Sequence, residues 1–452
     1  MLQHAKSHPK ACKSLSEWLC YLETIHNTEI DLGLTRINQV AQCLDIDFSF
    51  ARVITVAGTN GKGTTCAFLE NALLEEISNE QLLTVAVYSS PHIECFNERL
   101  RINKTDVSDQ DFIGAFEKIE QARADISLSY YEFTTLAAFL ILMTMKPDVI
   151  ILEVGLGGRL DATNMIDADI AVITSIDIDH QRFLGNNRES IGFEKAGIMR
   201  ANQDIIIGDT NTPKSVVNHA TNLNEALSSD LRQHAMAKIK VRGQHFVIEE
   251  SLSSTNPSNW HWYSKESKDK KEWHIHDLIT PNIPRDNVAT ALMVLKQLGV
   301  VLNTNKVNAL IKKTKVAGRT ELFLGDCDVL LDVGHNPQAG RYLAKKLVAL
   351  KEQNNYQRII AVVAMLADKD ISNTLAPLAN SIDEWYVAPL ADSRSASTKT
   401  MTDKVKVFTH SINCFDNVTQ AFKIANQDAK AVDLILVFGS FFTVAEIRRL
   451  LV

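Results

Sequence analysis

The chain has 452 residues, of which 45% are hydrophobic and 22% are charged, so it can build large cores and is not mainly disordered. This length exceeds that of one ordinary hydrophobic core and predicts two or more domains. The net charge of −7 argues against broad binding of nucleic acid or of anionic membranes, although a local cluster of lysines and backbone N–H groups can still hold an anionic substrate.

The cysteine pattern and the apolar segments indicate the cellular compartment and whether the protein enters a membrane. The cysteine count is odd and includes no C-x-x-C pair, so neither a disulfide framework nor a zinc site is expected. The N-terminus, MLQHAKSHPKACK, lacks the apolar core of a signal peptide. The longest apolar stretch, Thr134 to Met145, is too short to span a bilayer and predicts a buried helix. We therefore expect a soluble cytoplasmic protein with no membrane partner.

In chain order, the first elements are a helix, a loop at IDLGL and a second helix, over Ser14 to Leu44. Strands and helices then alternate, which indicates an α/β fold. The predicted strands are apolar on both faces, as in a parallel sheet covered on both sides. These strands cover Val53 to Gly58, Thr84 to Ser90, Val149 to Val154 and Ile170 to Ile176, and the helices cover Thr64 to Ile77, Asp109 to Ile126 and Tyr131 to Met145.

The region from Asn211 to Ile279 is polar and contains two short strand-like segments, HFVIEE and WHWYS. Its charged run, SKESKDKKEW, is interpreted as a solvated hairpin loop. A nucleic-acid patch is the weaker alternative, because acidic residues interrupt the lysines. Helices near Asn287 to Leu298 and Asn305 to Thr314 end the first domain.

A second α/β domain follows VAGRTEL, where the alternation of strands and helices restarts. The predicted strands are DVLLDV, RIIAVVAML, EWYVAPL, KVKVFT and DLILVFGS, each followed by a helical stretch. The remaining length corresponds to one domain of ordinary size. We therefore predict domains at residues 1–315 and 316–452.

The segment VITVAGTNGKGTT places a glycine loop between a buried strand and a helix. Gly61 and Gly63 let backbone N–H groups close around phosphate oxygens, Lys62 supplies a positive charge, and the helix N-terminus adds its dipole. The hydroxyl of Thr64 or Thr65 could reach Mg²⁺. The spacing departs from G-x-x-x-x-G-K-[ST], because a glycine separates the lysine from the threonine. A plain glycine-rich turn is therefore the alternative.

Polar side chains lie at the ends of three of the predicted strands or just after them. Glu153 lies at the end of one strand, Asp177, Asp179 and His180 follow the next, and Ser89 and Ser90 end another. Ligands of open α/β sheets bind at the carboxyl ends of the strands, and Mg²⁺ takes few protein ligands beside phosphate oxygens and water. The pattern predicts a magnesium site near the phosphate loop. The alternatives are a capping or ion-pairing role for Glu153 and a structural role for His180.

The motifs GTNGKGTT, YSSPH, LEVGLGGRLDATN, TSIDIDH, FEKAGI, AGRTE and LDVGHNP, in this order, resemble the folylpolyglutamate synthase family of the Mur ligase superfamily. The resemblance runs from about Ser16 to Phe442. It implies an N-terminal phosphate-loop ATPase domain with a central, mostly parallel sheet and a C-terminal Rossmann-like domain. It also implies an active site in the cleft between these domains.

The resemblance implies a ligase that uses ATP as co-substrate and Mg²⁺ as cofactor. ATP phosphorylates a carboxylate, and the amino group of L-glutamate then displaces phosphate from the acyl phosphate. The small-molecule substrates are dihydropteroate, which yields dihydrofolate, and folates, which are extended at the γ-carboxylate. The motifs DLGL and SYYEF resemble those of bifunctional bacterial members, so both activities are expected. We also expect the protein to be a monomer and to bind no nucleic acid.

The resemblance also implies roles for individual residues. Lys62, His180 and Lys195 would be catalytic, with Lys195 carbamylated; pairing of Lys195 with Glu194 or a phosphate is the alternative. Ser90 and Glu153 would hold one Mg²⁺, and His180 a second. The ATP-binding residues would be Thr59, Asn60, Gly61, Lys62, Gly63, Thr64, Asn287, Arg319 and Asp332. The substrate-binding residues would be Asp31, Leu32, Gly33, Leu34, Ser129, Tyr130, Tyr131, Glu132, Leu160, Asp161 and Ala162.

Two other functions are compatible with a phosphate loop. A UDP-muramoyl peptide ligase of cell-wall synthesis shares the chemistry but needs an additional N-terminal domain, and only 57 residues precede Gly58. A regulatory nucleotide-binding protein without ligase activity would not need Glu153, His180 and Arg319 beside the loop. At Ala317 and Thr320 the family often has a proline and an aromatic residue, so this chain departs from the family pattern on both sides of Arg319.

Overall fold

The computed structural model describes residues 12–28, 30–78, 80–225, 236–251, 259–265 and 273–452. The chain divides into two compact units, each built from segments that are not consecutive in sequence. The first unit comprises residues up to Ser90, Phe96–Ile176 and Glu189–Lys313, and the second comprises Pro91–Cys95, Asp177–Arg188 and Thr314–Val452. In the described part of the chain, no helix is long and apolar enough to cross a membrane.

A mostly parallel sheet forms the centre of the first unit. In chain order the strands of this unit are β1 (Arg52–Ala57), β2 (Ile77–Ser78), β3 (Gln81–Leu82), β4 (Val85–Tyr88), β5 (Leu100–Ile102), β6 (Thr105–Asp106), β7 (Val149–Glu153), β8 (Ile170–Ile173), β9 (Asp204–Ile207), β10 (Lys238–Val241), β11 (Phe246–Glu250), β12 (Trp260–Ser264) and β13 (Trp273–Leu278). The large sheet has the order β10-β9-β8-β1-β7-β4-β5-β6, and only β5 and β6 run antiparallel to their neighbours. Strands β11, β12 and β13 form a separate antiparallel sheet, and β2 pairs with β3.

Helices cover both faces of the large sheet, as the two-sided apolar strands predicted. Alternate residues of β1 divide between the faces: Ile54 packs in one core with Phe68 and Leu292, and Val53 packs in the other core with Phe139. The helices of this unit are Leu15–Leu22, Thr35–Cys43, Lys62–Leu73, Asp109–Arg123, Tyr130–Met145, Arg188–Ala196 (which begins at the last residue of a second-unit segment), Lys214–Glu225, Arg285–Gln297 and Thr304–Lys313, with short 3₁₀ helices at Phe96–Arg99 and Ala162–Met165.

The second unit contains one sheet with five parallel strands and one antiparallel edge strand. Its strands are β14 (Glu321–Phe323), β15 (Asp328–Asp332), β16 (Arg358–Val363), β17 (Glu384–Val387), β18 (Ile412–Cys414) and β19 (Asp433–Phe438), in the order β14-β15-β19-β16-β17-β18. Strand β14 pairs antiparallel with β15, and the other pairs are parallel. The helices are Gln181–Leu184, Pro337–Asn354, Ile371–Leu375, Thr398–Val405, Val418–Asp428 and Phe441–Leu451, with a 3₁₀ turn at Ala376–Leu378.

The α/β fold class predicted from the sequence is confirmed, and three elements differ from the prediction. The helix predicted to reach Ile77 ends at Leu73, and Ile77 lies in β2. The segment KVKVFT is not a strand: its first residues complete the helix Thr398–Val405, and the neighbouring strand is β18. In the polar region, the helix Lys214–Glu225 was not predicted.

The predicted hairpin around SKESKDKKEW is represented by its two flanking strands. Strands β12 and β13 pair antiparallel on either side of that run. Residues 266–272, the centre of the predicted loop, lie outside the described residues. All seven cysteines, which lie in the described part of the chain, are free thiols.

Candidate active site

The loop between β1 and the helix Lys62–Leu73 has the features expected of a phosphate site. Gly61 precedes this helix with φ +88°, a left-handed conformation that glycine adopts without steric cost. The Nζ atom of Lys62 donates a hydrogen bond to the carbonyl oxygen of Gly58, 3.1 Å away. The ammonium group therefore folds over the loop, beside the N–H groups of a helix N-terminus. Both are favourable partners of an anion.

Two side chains from the end of β8 hold the phosphate loop in place. Thr174 Oγ1 donates a hydrogen bond to the carbonyl oxygen of Asn60 at 2.6 Å, and Ser175 Oγ donates to the same oxygen at 3.0 Å. The backbone N–H of Thr59 donates to the Ser175 carbonyl oxygen at 2.7 Å. The loop is thus fixed by its neighbouring strand, a pre-organisation that phosphate binding requires.

Asn287 supports the loop from the helix Arg285–Gln297. Its Nδ2 donates a hydrogen bond to Thr64 Oγ1 at 2.8 Å, and Thr64 Oγ1 donates in turn to the Gly61 carbonyl oxygen at 3.0 Å. A Cβ atom on Gly61 would collide with the Asn287 amide. The structure therefore brings Asn287 together with the predicted ATP-binding loop, and it requires glycine at position 61 for two reasons.

The carboxyl edge of the large sheet presents the predicted metal ligands of the first unit. Glu153 is the last residue of β7 and is 5% exposed. A Cβ atom at Gly63 would lie 3.6 Å from both of its carboxylate oxygens, so the phosphate loop passes close to this carboxylate. Ser90 follows β4, which pairs in parallel with β7. A hydroxyl and a carboxylate are the hard oxygen donors that Mg²⁺ prefers, so this donor set fits the ion.

Lys195 is buried in the helix Arg188–Ala196, next to the glycine loop that follows β7. A Cβ atom on Gly158 would lie 3.1 Å from the Lys195 Cα, so the two backbones approach closely. Arg159 donates its backbone N–H to the Glu194 carbonyl oxygen at 2.7 Å, and its guanidinium pairs with the Glu194 carboxylate at 2.9 Å. Arg159 is therefore one partner of Glu194, the residue that precedes Lys195.

The predicted substrate loop at Asp31–Leu34 is joined to the predicted substrate helix through Arg36. The Arg36 guanidinium pairs with Asp31 at 2.8 Å and with Glu132 at 3.2 Å. His26 also contacts the Asp31 carboxylate, at 3.1 Å. Glu132 is buried and accepts hydrogen bonds from the backbone N–H and hydroxyl of Ser129, both at 2.8 Å. Ser129 and Glu132 thus form the capping box of the helix Tyr130–Met145.

Two tyrosines and an aspartate lie beyond this cap. Burial raises the pKa of Tyr131 well above its ordinary value, with the nearby Asp161 as a second cause. The Tyr131 hydroxyl lies 3.4 Å from Asp161 Oδ1. Burial also raises the pKa of Asp161, which accepts hydrogen bonds from the N–H groups of Leu156 and Thr163. Burial raises the pKa of Tyr130 to about 12. Asp161 therefore organises the loop that contains the partly exposed Leu160 and the buried Ala162. The two tyrosines stay neutral at physiological pH.

In the second unit, Asp332 and Arg319 lie around the end of β15. Asp332 accepts hydrogen bonds from the backbone N–H groups of Thr320, at 2.8 Å, and Gly334, at 2.7 Å. Burial raises its pKa, and the charge of Arg319 opposes this effect. The Arg319 guanidinium lies over the Phe441 ring, 5.2 Å from its centroid. Asp332 therefore shapes two loops, and the aromatic ring orients the arginine.

His180 lies in a cluster of charged side chains in the second unit. It has a left-handed backbone conformation, with φ +48°. The ligand atoms of Asp179, His180 and His335 all lie within 4.8 Å of one another, a spacing that could hold a metal ion. However, Lys369 Nζ donates to Asp179 Oδ1 at 2.8 Å and lies 3.5 Å from His180 Nε2. Asn336 Nδ2 donates to the other Asp179 oxygen at 2.9 Å.

The surroundings of Asp179 stabilise its charged form. Burial alone would raise the pKa of Asp179, but a hydrogen bond from His335 and the charges of His335, His180 and Lys369 together hold it well below its ordinary value. The ammonium group of Lys369 already neutralises the Asp179 carboxylate. A divalent ion placed between Asp179 and His180 would therefore meet the positive charge of Lys369.

Several residues at these sites were missed by the sequence analysis. Thr174, Ser175 and Arg36 hold predicted site residues but were not proposed. The two hydroxyl residues follow an apolar strand, so the rule applied to Glu153 could have found them. Lys369 lies six residues beyond β16, at no recognised strand-end position. No local signal in the sequence indicates that it contacts Asp179.

Comparison with known proteins identifies the family. Residues 56–268 match the Mur ligase middle domain, and residues 318–441 match the glutamate ligase domain of Mur ligases. The chain is 40% identical over 446 residues to the dihydrofolate synthase/folylpolyglutamate synthase of Escherichia coli K12, covering 99% of this chain and 97% of that protein. It is 39% identical to the Haemophilus influenzae protein of the same name, covering 97% of each.

Solved structures show the same similarity. Escherichia coli FolC in complex with DHPP and ADP has a TM-score of 0.86 and 39% identity, covering 97% of this chain and 98% of that chain. The bifunctional folylpolyglutamate synthase/dihydrofolate synthase of Yersinia pestis, complexed with AMPPNP and Mn ion, has a TM-score of 0.83 and 40% identity, covering 98% of each. The chain therefore belongs to the dihydrofolate synthase/folylpolyglutamate synthase family of ligases.

Proposed function

We propose that this chain ligates L-glutamate to dihydropteroate, forming dihydrofolate, and to the γ-carboxylate of folates, with ATP as co-substrate. The observation that carries the proposal is the phosphate loop. Lys62 lies over a glycine loop that Thr174, Ser175 and Asn287 hold in place, and the buried Glu153 stands at the adjacent sheet edge. Relatives with 39–40% identity that carry these two activities in their names support the choice of substrates.

The reaction has two chemical steps. A carboxylate oxygen of the pteroate or folate attacks the γ-phosphorus of ATP, and the bond to ADP breaks. The amine of glutamate then attacks the acyl carbon, phosphate leaves, and the nitrogen loses a proton. The first step mainly needs positioning and neutralisation of charge, because the transferred phosphoryl group carries several negative oxygens.

Residues of the first unit can meet both needs of phosphoryl transfer. Lys62 and the N–H groups of the loop hold and neutralise the phosphates, and Thr59, Asn60, Gly61, Gly63 and Thr64 form the rest of that loop. Ser90 and Glu153 would hold Mg²⁺, which, when bound, neutralises phosphate charge that the protein alone leaves uncompensated. Asn287 fixes the helix N-terminus through Thr64.

Three further assignments complete the proposed ATP and metal sites. Arg319 and Asp332 would contribute to ATP binding, and His180 would hold a second Mg²⁺. Lys369 is the competing cation near His180. A second Mg²⁺ at His180 therefore requires that Lys369 move away or remain paired with Asp179 alone.

The pterin substrate would contact two groups of residues on the first unit. Leu32, Gly33 and Leu34 form one group, in the loop held by the pair of Asp31 with Arg36. Tyr130, Tyr131, Leu160, Asp161 and Ala162 form the other. Ser129 and Glu132 act on the substrate through the helix that they cap. Neutral tyrosines suit an aromatic heterocycle, which stacks on rings and accepts hydrogen bonds.

The remaining parts of the proposal concern a modification of Lys195, the cellular compartment, the oligomeric state and the domain boundary. Lys195 would be carbamylated: a buried amine that loses its charge can react with CO₂, and the product anion could orient a metal-bound water. The protein would act as a cytoplasmic monomer. Its domains would divide near residue 315, into an ATP-binding domain and a C-terminal Rossmann-like domain.

Substitution of Lys62 tests the proposed function. Lys62→Ala should lower ligase turnover with dihydropteroate by roughly 100-fold or more, because charge neutralisation at the phosphates is lost. Phosphate release from ATP in the unmodified protein should require both the pterin substrate and glutamate, which a regulatory nucleotide-binding protein would not show. Lys404→Ala, on the exposed end of a helix, is the control. Near-normal turnover of Lys62→Ala would reject the phosphate-loop assignment.

A further inference from the structure

Three imidazole rings lie on the outer face of the β11-β12-β13 sheet. Its inner face is apolar and buried, with Trp260, Trp262 and Ile275 among its residues. His274 and His276 are exposed and stand two residues apart on β13, so both point to the opposite face. His261 lies on the neighbouring strand β12, between the two buried tryptophans. The proposed ligase reaction uses none of these three histidines.

The rings are close enough to share one ion. The ring centroids of His274 and His276 lie 5.7 Å apart, and those of His261 and His276 lie 5.2 Å apart. Two imidazoles bound tetrahedrally to one ion, each with a metal–nitrogen distance of about 2.1 Å, have centroids about 5 Å apart. The ligand nitrogens of the three rings do not all lie within 4.8 Å of one another, so the exposed side chains must rotate to bind a common ion.

We propose that His274, His276 and His261 form a binding site for a borderline divalent transition metal such as Zn²⁺, Ni²⁺ or Cu²⁺. Imidazole nitrogen suits these ions, whereas Mg²⁺ prefers oxygen ligands. The site is therefore chemically selective against the ion that the ligase reaction needs. Glu249, the partner of His261 across β11 and β12, adds a negative charge that favours a cation.

The three histidines contribute unequally. The N–H of Asp277 donates a hydrogen bond to His261 Nδ1 at 3.0 Å. Because that nitrogen is an acceptor, His261 can ligate an ion only after this bond is broken or the ring turns. His274 and His276 belong to one strand and form the primary chelate. His261 adds a third ligand that links β12 to β13.

A purely structural role for the rings makes a different prediction. Tyr263 packs edge-on against His274, with centroids 4.6 Å apart, so the cluster could simply cover the sheet by aromatic packing. Phenylalanine preserves an aromatic ring but cannot ligate a metal. Histidine-to-phenylalanine variants therefore separate metal binding from packing.

The test is calorimetric titration of the untagged full-length protein with ZnCl₂ at pH 7.5, in the presence of excess MgCl₂. His276→Phe should bind one Zn²⁺ fewer per chain, or bind it at least about tenfold more weakly. His274→Phe should behave in the same way, and His261→Phe should show a smaller loss. His410→Phe, which replaces an exposed histidine of the second unit, is the matched control and should titrate like the unmodified protein.

Ligase activity and the circular dichroism spectrum verify that each variant is folded. Zn²⁺ should also raise the melting temperature of the unmodified protein more than that of His276→Phe, because an ion that binds only the folded state stabilises it. Equal stoichiometry and affinity in the unmodified protein, His274→Phe and His276→Phe would overturn the proposal. Loss of ligase activity in Lys62→Ala has no bearing on this result, so the two proposals fail separately.

Discussion

At the scale of single residues, Gly61 and Asn287 show how closely the phosphate loop is fitted. Gly61→Ala should destabilise the fold by about 2 kcal/mol through backbone strain alone, because φ is +88°. The added methyl group would also collide with the Asn287 amide. The collision disappears in an Asn287→Ala background, so the cost of Gly61→Ala should be smaller there. Urea unfolding of both single variants and the double variant measures this coupling; strictly additive free energies would contradict it.

Lys369 provides a second residue-scale prediction, because it neutralises a buried carboxylate. The side chains of Lys369 and Asp179 are 7% and 8% exposed. Lys369→Met leaves Asp179 without its ammonium partner and should destabilise the fold by about 3 kcal/mol or more. Lys351→Met is the matched control, since the pair of Lys351 with Asp383 is about half exposed and contributes less than about 1 kcal/mol. Equal melting temperatures of the two variants would show that the buried pair of Lys369 with Asp179 contributes no more to stability than the exposed pair of Lys351 with Asp383.

Lys195 is the third residue with a specific expectation, which concerns chemistry rather than stability. If its amine carries a carbamate, Lys195→Ala should lose ligase activity and recover part of it in the presence of a short-chain carboxylic acid. Mass spectrometry in bicarbonate should detect the added CO₂ in the unmodified protein only. Lys146→Ala, at the C-terminal end of a first-unit helix, serves as the control for general effects of lysine removal. Full activity of Lys195→Ala without added acid would reject the carbamate.

At the scale of elements, Arg36 couples the helix Thr35–Cys43 to the N-terminus of the helix Tyr130–Met145. Arg36→Met should raise the KM for dihydropteroate by about tenfold, equivalent to one lost charge-assisted hydrogen bond, and leave the KM for ATP unchanged. Arg52→Met removes a more exposed pair with Asp169 and is the control. Parallel changes in both KM values would instead indicate general loss of structure.

The same elements show what the sequence could predict. Long apolar strands such as Val149–Glu153 were recognisable because both of their faces are buried, and their polar ends led directly to Glu153. The segment KVKVFT alternates like a strand, but Met401 and Val405 are buried four residues apart, which is helical spacing. Local alternation could not reveal this, because the apolar partner lies upstream of the segment.

Residues that act across long sequence separations were the harder part of the site to predict. The contact of Asn287 with Thr64 joins positions 223 residues apart, and that of Lys369 with Asp179 joins positions 190 apart. No local pattern encodes such pairs, since they depend on how the strands are ordered. Resemblance to a family supplied Asn287, whereas Lys369 became visible only in the structure.

At the scale of the whole molecule, neither compact unit is a continuous stretch of chain. The second unit includes Pro91–Cys95 and Asp177–Arg188, which lie between segments of the first. Arg448 in this unit pairs with Glu321 at 3.0 Å and also with Glu94. The segments that follow β4 and β8 are therefore anchored in the second unit, although their strands belong to the first.

One proposed set of pterin-binding residues has to serve both of the proposed ligase activities. If dihydropteroate and folates contact the same residues of the loop Asp31–Leu34 and the helix Tyr130–Met145, binding of one substrate must exclude binding of the other. Dihydropteroate should then inhibit glutamylation of tetrahydrofolate competitively, with an inhibition constant close to its own KM as a substrate.

The Arg36→Met variant sharpens this test of a shared site. It should weaken dihydropteroate both as a substrate and as an inhibitor, by the same factor of about ten, because one set of contacts determines both constants. The measurement is the steady-state rate at which glutamylated tetrahydrofolate forms, separated from dihydrofolate by chromatography, at several fixed concentrations of dihydropteroate, with tetrahydrofolate varied at saturating ATP and glutamate. Inhibition that excess tetrahydrofolate does not relieve would instead require a second pterin site. Different factors for the two constants in Arg36→Met would lead to the same conclusion.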